Sequence, residues 1–253
     1  MTVATAASAA DFPVAPVKAP LPAPILFSWS GCYLGIEGGW AQGEGEQVAV
    51  APAAIPGQPL PTIGGQTITG GLKITGGLAG GTVGCNVQLS NFVLGVENDY
   101  SWSDKKGSTN DLPPFPATEV SSTREKWLDT FRGRFGYAID RAMFYGTAGV
   151  AFAGTFVTVS DPAWGSVTQS QTRTGWSAGA GAEFAVWSAG WADLTVKVEY
   201  LHAGFDRKQT FNPPFTTPIG TTVVTRDVKL TDDIIRAGVN VKFNWDGPVV
   251  ARY

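Results

Sequence analysis

The chain has 253 residues, of which 15% are charged, and its formal net charge is −3. About 25% charged residues is usual for a soluble domain, and a net charge this small without a basic stripe does not indicate nucleic-acid binding. The sequence contains no run of about 18 uncharged apolar residues, which excludes a transmembrane helix. The length allows one large all-β domain or two small ones.

The amino-terminal residues carry no strand pattern. Residues 1–10 (MTVATAASAA) end in small residues typical of a secretory signal peptide. They lack a basic region and a long apolar core, so we interpret them as the residual end of a signal peptide, with a disordered alanine-rich tail as the alternative. The prolines from Pro13 to Pro24 predict an extended linker over residues 11–28. A folded domain is expected over residues 29–253.

Eight segments of this domain have the pattern of β-strands. Residues 235–243 (IRAGVNVKF) place Ile235, Val239 and Phe243 on one face and polar residues on the other, because strand side chains alternate with period two. The predicted strands are residues 30–42, 72–88, 92–102, 124–137, 143–156, 174–187, 191–202 and 233–245.

Full charges lie on the face opposite the apolar residues. Five acids and five bases share this phase: Glu37, Glu97, Asp99, Glu183 and Glu199, with Arg132, Arg134, Lys197, Arg236 and Lys242. A soluble barrel would place the charges outside and the apolar face inside. The face that points inward therefore decides the class of protein.

The lengths of the connections alternate. Residues 90–91, 139–141 and 188–190 are predicted tight turns, whereas residues 43–71, 103–123, 158–173 and 203–231 are predicted long loops. Short turns at one end and long loops at the other are typical of an up-and-down outer-membrane barrel. Strands of about 10 residues can cross a bilayer when tilted, provided that the sheet closes on itself. Aromatic residues at the predicted strand ends are expected at the membrane interfaces: Trp29, Tyr33, Trp102, Trp127, Trp187, Trp191 and Trp245.

Several segments together resemble a known family, the small outer-membrane immunogenic (porin-family) proteins of Gram-negative bacteria, which are similar in fold to the membrane domain of OmpA. The segments are residues 28–35 (SWSGCYLG), 92–99 (FVLGVEND), 132–137 (RGRFGY), 197–201 (KVEYL) and 247–253 (GPVVARY). The resemblance implies an eight-stranded antiparallel β-barrel in the outer membrane, with long extracellular loops, short periplasmic turns and a periplasmic linker before it. Cys32 and Cys85 depart from the family pattern, because relatives usually carry aromatic residues there.

A barrel of eight strands has an interior that its own side chains fill. We therefore predict that the ten inward charges form a mutually neutralised network that plugs the lumen. The leading hypothesis is a structural barrel that stabilises the envelope and presents loops as antigenic or adhesive surfaces. Its expected partners are outer-membrane lipid, lipopolysaccharide, the barrel-assembly machinery and host or surface ligands of the loops. The alternatives are a small passive channel and a soluble, lipocalin-like ligand binder with inverted faces.

Catalytic and cofactor motifs are weak, so neither an enzyme nor a cofactor is expected. His202, the single histidine, has no recognisable nucleophilic partner in Tyr200 or Asp206, and we interpret it as an interfacial polar residue. Two cysteines and one histidine match no zinc pattern. The glycine-rich stretches between residues 64 and 81 precede no predicted helix, so a nucleotide site is not indicated.

The two cysteines lie near the turn-side ends of adjacent predicted strands, on the outward face. Cys32 and Cys85 are compatible with one bridge in an oxidising periplasm, and we expect a cross-strand disulfide. The alternative is two small outward apolar side chains.

Overall fold

A computed structural model describes residues 27–50, 67–113, 117–162, 165–205, 210–211, 214–217, 220–223 and 225–244. No helix in this part of the chain is long and apolar enough to cross a membrane. Its regular elements are β1 (Gly31–Ala49), β2 (Thr67–Leu89), β3 (Phe92–Ser103), β4 (Lys106–Asn110), β5 (Val120–Ile139), β6 (Ala142–Asp161), β7 (Gly165–Ser188), β8 (Ala192–Phe205), β9 (Thr210–Phe211), β10 (Pro214–Thr217), β11 (Gly220–Val223) and β12 (Arg226–Phe243).

The long strands form a closed antiparallel ring. Its order is β1-β12-β8-β7-β6-β5-β3-β2, and the pairing of β1 with β2 completes it. The short β4 bridges β2 and β5, β9 pairs with β12, and β10 pairs with β11. A closed ring has no edge strand, so its backbone groups are hydrogen-bonded within the protein. The predicted eight-stranded up-and-down barrel is confirmed.

Tight turns join the strands at one end of the barrel, which we call the turn end; the opposite end is the loop end. Ser90-Asn91 joins β2 to β3, and Asp140-Arg141 joins β5 to β6. Ser90 and Asp140 have φ angles of 58° and 50°, which such short turns require. The turn that joins β7 to β8 contains Gly190, whose φ is 83°.

The strands extend further toward the loop end than the sequence predicted. β1 continues to Ala49, β7 already begins at Gly165, and β12 begins at Arg226, so parts of each predicted loop are strand. About ten residues suffice to cross a bilayer, whereas β6 has 20 and β7 has 24. The ring therefore continues well beyond the thickness of a membrane.

The polarity of the two faces changes along the strands. Near the turn end the outward residues are apolar and exposed, as with Ile36 at 72% and Phe135 at 57%. Toward the loop end the pattern reverses: Val228 and Leu230 of β12 are buried inside, while Lys229 points outward and is exposed. An apolar outer face suits hydrocarbon, and a polar outer face suits water, so the reversal marks the outer boundary of the membrane.

The amino-terminal linker and the chain end are only partly described. Residues 1–26 and 245–253 lie outside the described residues, and with them the predicted signal-peptide end, most of the linker and Trp245. Phe27 and Ser28, which the sequence assigned to the linker, already contact the barrel: Phe27 packs against its interior, and the Lys242 ammonium donates to the Ser28 carbonyl.

Candidate functional site: the barrel interior

All ten charged residues that the sequence placed on the inward face are buried inside the ring. Alternation alone brings them there, because each has the same phase as the other inward residues of its strand. Nine of them meet near the middle of the barrel, and we call this group the central charge cluster: Glu37, Glu97, Asp99, Arg132, Arg134, Glu183, Lys197, Glu199 and Arg236. With five acids and four bases, its formal charge is −1.

Arg132 of β5 occupies the centre of this cluster and is fully buried. Its Nη2 donates to Glu97 Oε1 at 2.7 Å and to Asp99, and its Nη1 donates to Glu199 Oε1 at 3.0 Å. Nε donates to Thr130 Oγ1 at 3.1 Å. One guanidinium thus links carboxylates from β3 and β8, which lie on opposite sides of β5, β6 and β7 in the ring order.

Arg236 of β12 makes a second set of bridges across the lumen. Its guanidinium contacts Asp99 at 2.9 Å, Glu199 at 2.5 Å and the Glu37 carboxylate. The Lys197 ammonium lies 3.2 Å from Glu37 Oε2 and 3.5 Å from Asp99 Oδ1. Because Arg236 shares acids with both Arg132 and Lys197, the cluster is one connected network and not a set of separate pairs.

Arg134 and two tyrosines continue the network toward the turn end. Arg134 pairs with Glu183, and its Nη1 donates to the Tyr33 hydroxyl at 3.0 Å, which in turn donates to Glu97 Oε2 at 2.6 Å. The guanidinium carbon of Arg134 lies 3.7 Å from the ring centroid of Tyr145, a cation–π contact.

Tyr33 was predicted to be an interface aromatic, and that prediction is wrong. The side chain is 2% exposed and points into the lumen, because residue 33 shares the phase of Glu37 and not that of Cys32 and Leu34. Gly84 on β2 faces the Tyr33 ring so closely that a Cβ there would collide with it. The inward glycine therefore provides space for a long neighbouring side chain.

Lys242 does not belong to the central charge cluster. Its ammonium lies 3.0 Å from Asp193 Oδ2 near the turn end and also donates to Asn244 Oδ1 at 2.7 Å. The sequence placed Lys242 in a network of ten charges. In the structure Lys242 is the inward residue of β12 that follows Asn240 toward the turn end, and this position separates it from the other bases. Asp193, its partner, was missed because it lies only three residues after the end of a predicted tight turn.

The turn end of the lumen is filled by an apolar group that includes Trp29. The Trp29 side chain is fully buried, its Nε1 donates to the Asp140 carbonyl at 3.1 Å, and its backbone N–H donates to Gln88 Oε1 at 2.7 Å. The prediction of Trp29 as an interface aromatic is therefore wrong, because the chain before β1 turns across the mouth. This group, the turn-end cap, consists of Phe27, Trp29, Val93, Ala138, Met143 and Tyr145.

A second set of buried charges lies toward the loop end, beyond an apolar layer that includes Leu128, Leu201 and Ile234. Lys105 is the centre of one part, with its ammonium 2.8 Å from Glu125 Oε1 and 2.7 Å from Asp232 Oδ2. Burial and the neighbouring Asp232 carboxylate raise the pKa of Glu125 to about 8, although Lys105 opposes the shift.

Arg226 is the centre of the other part. It contacts Asp111 Oδ2 at 3.2 Å, Glu119 Oε1 at 2.8 Å and Ser121 Oγ at 3.0 Å. Burial raises the pKa of both carboxyl groups, with Arg226 opposing the shift. We call the residues Lys105, Glu125, Asp232, Arg226, Asp111 and Glu119 the outer charge cluster.

The outer charge cluster was not predicted because Lys105, Asp111, Glu119 and Arg226 fall in predicted loops, while Glu125 and Asp232 lie at the margins of predicted strands, and a register shift at Glu125/Trp127 interrupts the alternation there. The residues 226–232 (RDVKLTD) do alternate, with Arg226, Val228, Leu230 and Asp232 in one phase. That signal could have been found if strand length had not been limited to the thickness of a membrane. No comparable signal marks Lys105, Asp111 and Glu119, which lie just outside the ends of β3, β4 and β5.

Four of the predicted interface aromatics, Trp102, Trp127, Trp187 and Trp191, lie on the outer face of the ring. Trp102 is 66% exposed toward the loop end, and Trp127 lies opposite it in the register, packed over Gly154. Trp187 and Trp191 are exposed and outward at the turn end.

Cys32 and Cys85 lie directly opposite each other in the β1–β2 register and are joined by a disulfide. Their Cα atoms are 4.0 Å apart. The bridge joins the outward faces of two strands that are already hydrogen-bonded, near the turn end.

His202 lies on the outer surface toward the loop end. Its Nδ1 is 2.8 Å from Asp233 Oδ1, and the Tyr200 hydroxyl donates to the same oxygen at 2.5 Å. The described residues contain no group of three or more His, Cys, Asp and Glu side chains placed to hold a metal ion. The sequence named Asp206 as a neighbour of His202, and that residue lies outside the described residues.

A closed eight-stranded ring with an apolar outer belt, outward tryptophans and buried ions defines a membrane-spanning β-barrel. The family model for the outer membrane protein beta-barrel domain matches residues 5–243, and the chain belongs to this family. It is 32% identical over 248 residues to a 31 kDa outer-membrane immunogenic protein of Brucella melitensis, covering 95% of each chain. A 25 kDa outer-membrane immunogenic protein of Brucella abortus is 28% identical over 230 residues, covering 90% of this chain and 85% of the relative.

Solved structures that are similar to this chain include that of the attachment invasion locus protein Ail of Yersinia pestis. The two sequences are 14% identical, the TM-score is 0.37, and the match covers 83% of this chain and 99% of the other. The family model and the Brucella relatives identify an outer-membrane β-barrel, and in such barrels the short turns face the periplasm and the long loops face the exterior. Outer-membrane lipid forms the protein's surroundings.

Proposed function

We propose that this protein is a non-enzymatic structural barrel that strengthens the outer membrane and presents its loop end as a contact surface, with a lumen closed to solutes. The observation that carries the proposal is the central charge cluster, in which Arg132, Arg236 and Lys197 each bridge acids from different strands. A passage for solutes would need water in place of these direct ion pairs.

Two further layers support a closed lumen. The turn-end cap places Trp29 across the periplasmic mouth, and the apolar layer around Leu128 and Ile234 lies between the two charge clusters. An ion that entered from outside would have to cross apolar side chains without compensation, which is costly in a medium of low dielectric constant. An eight-stranded ring also leaves little space beyond that occupied by its own side chains.

A structural role follows from the same arrangement. Buried ion networks tie strands that are distant in the ring, and strands longer than a bilayer requires hold the loop end rigidly above the membrane. Loops on a rigid scaffold are suited to contacts with other surfaces, which agrees with the names of the immunogenic relatives. Insertion by the barrel-assembly machinery and contacts with host ligands through the loops belong to this proposal.

Conductance measurements test the closed lumen. The refolded protein is reconstituted in planar bilayers and in liposomes for swelling assays, with a general diffusion porin in parallel as a positive control. We expect no stepwise conductance and no swelling with small sugars. Reproducible steps from the wild-type barrel would refute closure and support the alternative of a small passive channel.

The structural role is tested in cells. Deletion of the gene should increase sensitivity to detergent and release of periplasmic marker proteins, and expression of the wild-type chain should reverse both effects. Equal leakage with and without the protein would contradict a role in envelope stability, whatever the conductance experiment shows.

A further inference from the structure

We infer that a patch of basic side chains on the outer surface of β4 and β5 binds the phosphate groups of an outer-leaflet glycolipid. The patch consists of Lys106, Arg124 and Lys126, all exposed and all outside the ring. The inference does not depend on whether the lumen conducts, since the patch lies on the opposite face of the sheet.

The position of the patch matches the headgroup layer of the membrane. Trp102 and Trp127 are paired across β3 and β5, and the Tyr100 ring stacks on Trp127 with centroids 6.1 Å apart. Such aromatic groups mark the boundary between hydrocarbon and headgroups. Lys126 directly precedes Trp127 toward the loop end, and Arg124 lies three residues away, about 10 Å along the strand.

The patch lacks internal neutralisation. Lys106 and Arg124 lie directly opposite each other in the β4–β5 register, an arrangement of like charges that destabilises a sheet unless an anion lies between them. Among the described residues no carboxylate forms a salt bridge with any of the three bases. Within the same part of the chain, the one contact of their charged groups is that of the Lys126 ammonium, 4.6 Å from the Phe156 ring centroid.

One exposed acid lies close to the patch in sequence, but among the described residues it forms no salt bridge with the patch. Asp104, two residues before Lys106, accepts a hydrogen bond from the Gly77 N–H at 2.7 Å. Lys73 on β2 adds a further exposed base beyond the patch, but it lies opposite Glu44 in the β1–β2 register.

Other parts of the barrel at this height are acidic. On β12 and β1 the outward residues include Asp227, Asp233 and Glu44 together with Lys229. Among the described residues, Lys229 and Lys73 lie opposite Glu46 and Glu44 in the register, whereas the three bases of the patch share one sector with no acid opposite them. Cations directly above an aromatic girdle complement phosphates carried by the sugar headgroup of a lipid, because these anions lie immediately outside the hydrocarbon layer. A soluble polyanion would gain nothing from this depth.

The test compares two lipids and three proteins, which are the wild type and two variants. Protein refolded in detergent is titrated with diphosphorylated lipid A or with the same glycolipid lacking both phosphates, and bound lipid is counted by native mass spectrometry. The triple variant Lys106→Gln, Arg124→Gln, Lys126→Gln removes the patch. Lys229→Gln removes an exposed outward base from β12 and serves as the control, and heat-modifiable gel migration verifies folding of each variant.

We expect the wild type and Lys229→Gln to bind the diphosphorylated lipid equally. Because a base near an anionic membrane surface contributes about fivefold to binding, the triple variant should lose on the order of a hundredfold in affinity. The phosphate-free lipid should bind all three proteins equally and weakly. If the triple variant does not fold, Arg124→Gln against Lys229→Gln gives the same comparison at about fivefold.

Three results would overturn the inference. The first is an unchanged affinity in the triple variant or, where that variant does not fold, in Arg124→Gln. The second is equal binding of phosphorylated and phosphate-free lipid by the wild type. The third is displacement of the lipid by soluble heparin at equimolar concentration, which would assign the patch to a soluble glycan.

Discussion

Replacement of Arg132 by methionine tests the central charge cluster most directly. Arg132→Met keeps much of the side-chain volume but removes the bridges to Glu97, Asp99 and Glu199. The formal charge of the cluster changes from −1 to −2, and three buried carboxylates lose a partner. Breaking a buried ion pair from one side costs about 3–5 kcal/mol, and at roughly 2–4 °C per kcal/mol the melting temperature should fall by about 6–20 °C.

The assay is thermal unfolding of the detergent-folded barrel, followed by tryptophan fluorescence and by heat-modifiable gel migration. Arg141→Met is the matched control, because Arg141 lies exposed in the β5–β6 turn. Its melting temperature should stay within about 2 °C of the wild type, as for most surface substitutions. Equal melting temperatures for Arg132→Met and Arg141→Met would refute the reasoning.

A second substitution separates charge from packing. Combining Arg132→Met with Glu97→Gln returns the formal charge of the cluster to −1 and leaves one carboxylate fewer without a partner. We therefore expect the double variant to be more stable than the sum of the two single effects predicts, with a coupling of about 0.5–3 kcal/mol. Strict additivity would show that Arg132 and Glu97 contribute independently, contrary to the network.

Three further predictions concern other parts of the barrel. The pKa of Glu125 is raised in the folded state to about 8 from an ordinary 4.5, so the folded protein binds this proton more tightly. The free energy of unfolding should therefore fall as pH rises from about 5 to 8, and Glu125→Gln should flatten that slope in urea titrations; an unchanged slope would contradict the burial argument. Without reductant, Cys32 and Cys85 should react with no thiol reagent in the unfolded chain, and Cys85→Ser should cost about 2–4 kcal/mol. Trp29→Ala should cost about 3–5 kcal/mol in urea unfolding, as for a buried aromatic residue; a loss below 1 kcal/mol, as expected for a surface residue, would show that the turn-end cap contributes little.

The sequence alone was sufficient for the orientation and number of the membrane strands. In residues 235–243 the alternation is unbroken, and one decision about which face meets lipid fixes the direction of every side chain in the strand. For this reason alternation by itself assigns Arg132, Arg134 and Arg236 to the interior. The same rule, applied without exception, would also have placed Tyr33 inside; it was misassigned because an aromatic residue near a strand end resembles a membrane anchor.

Extension of the barrel toward the loop end was only partly visible. Alternation persists in residues 226–232, but with reversed polarity, since water and not lipid surrounds that part of the sheet. Over only a few residues, an alternation of inward apolar and outward charged side chains is hard to distinguish from a polar loop. Lys105 shows the limit clearly, because it lies between β3 and β4 and no periodicity assigns it to the interior.

The partners of the charges were decided by the tertiary structure. Local sequence gives each side chain a face, but the distance between Arg132 and Glu199 depends on the stagger of strands across the closed ring. The same stagger separates Lys242 from the central charge cluster and pairs it with Asp193. Likewise, nothing local shows that the chain before β1 turns under the barrel and buries Trp29. Period and polarity of a strand are properties of its own residues, whereas contacts across a lumen arise only when all eight strands are in register.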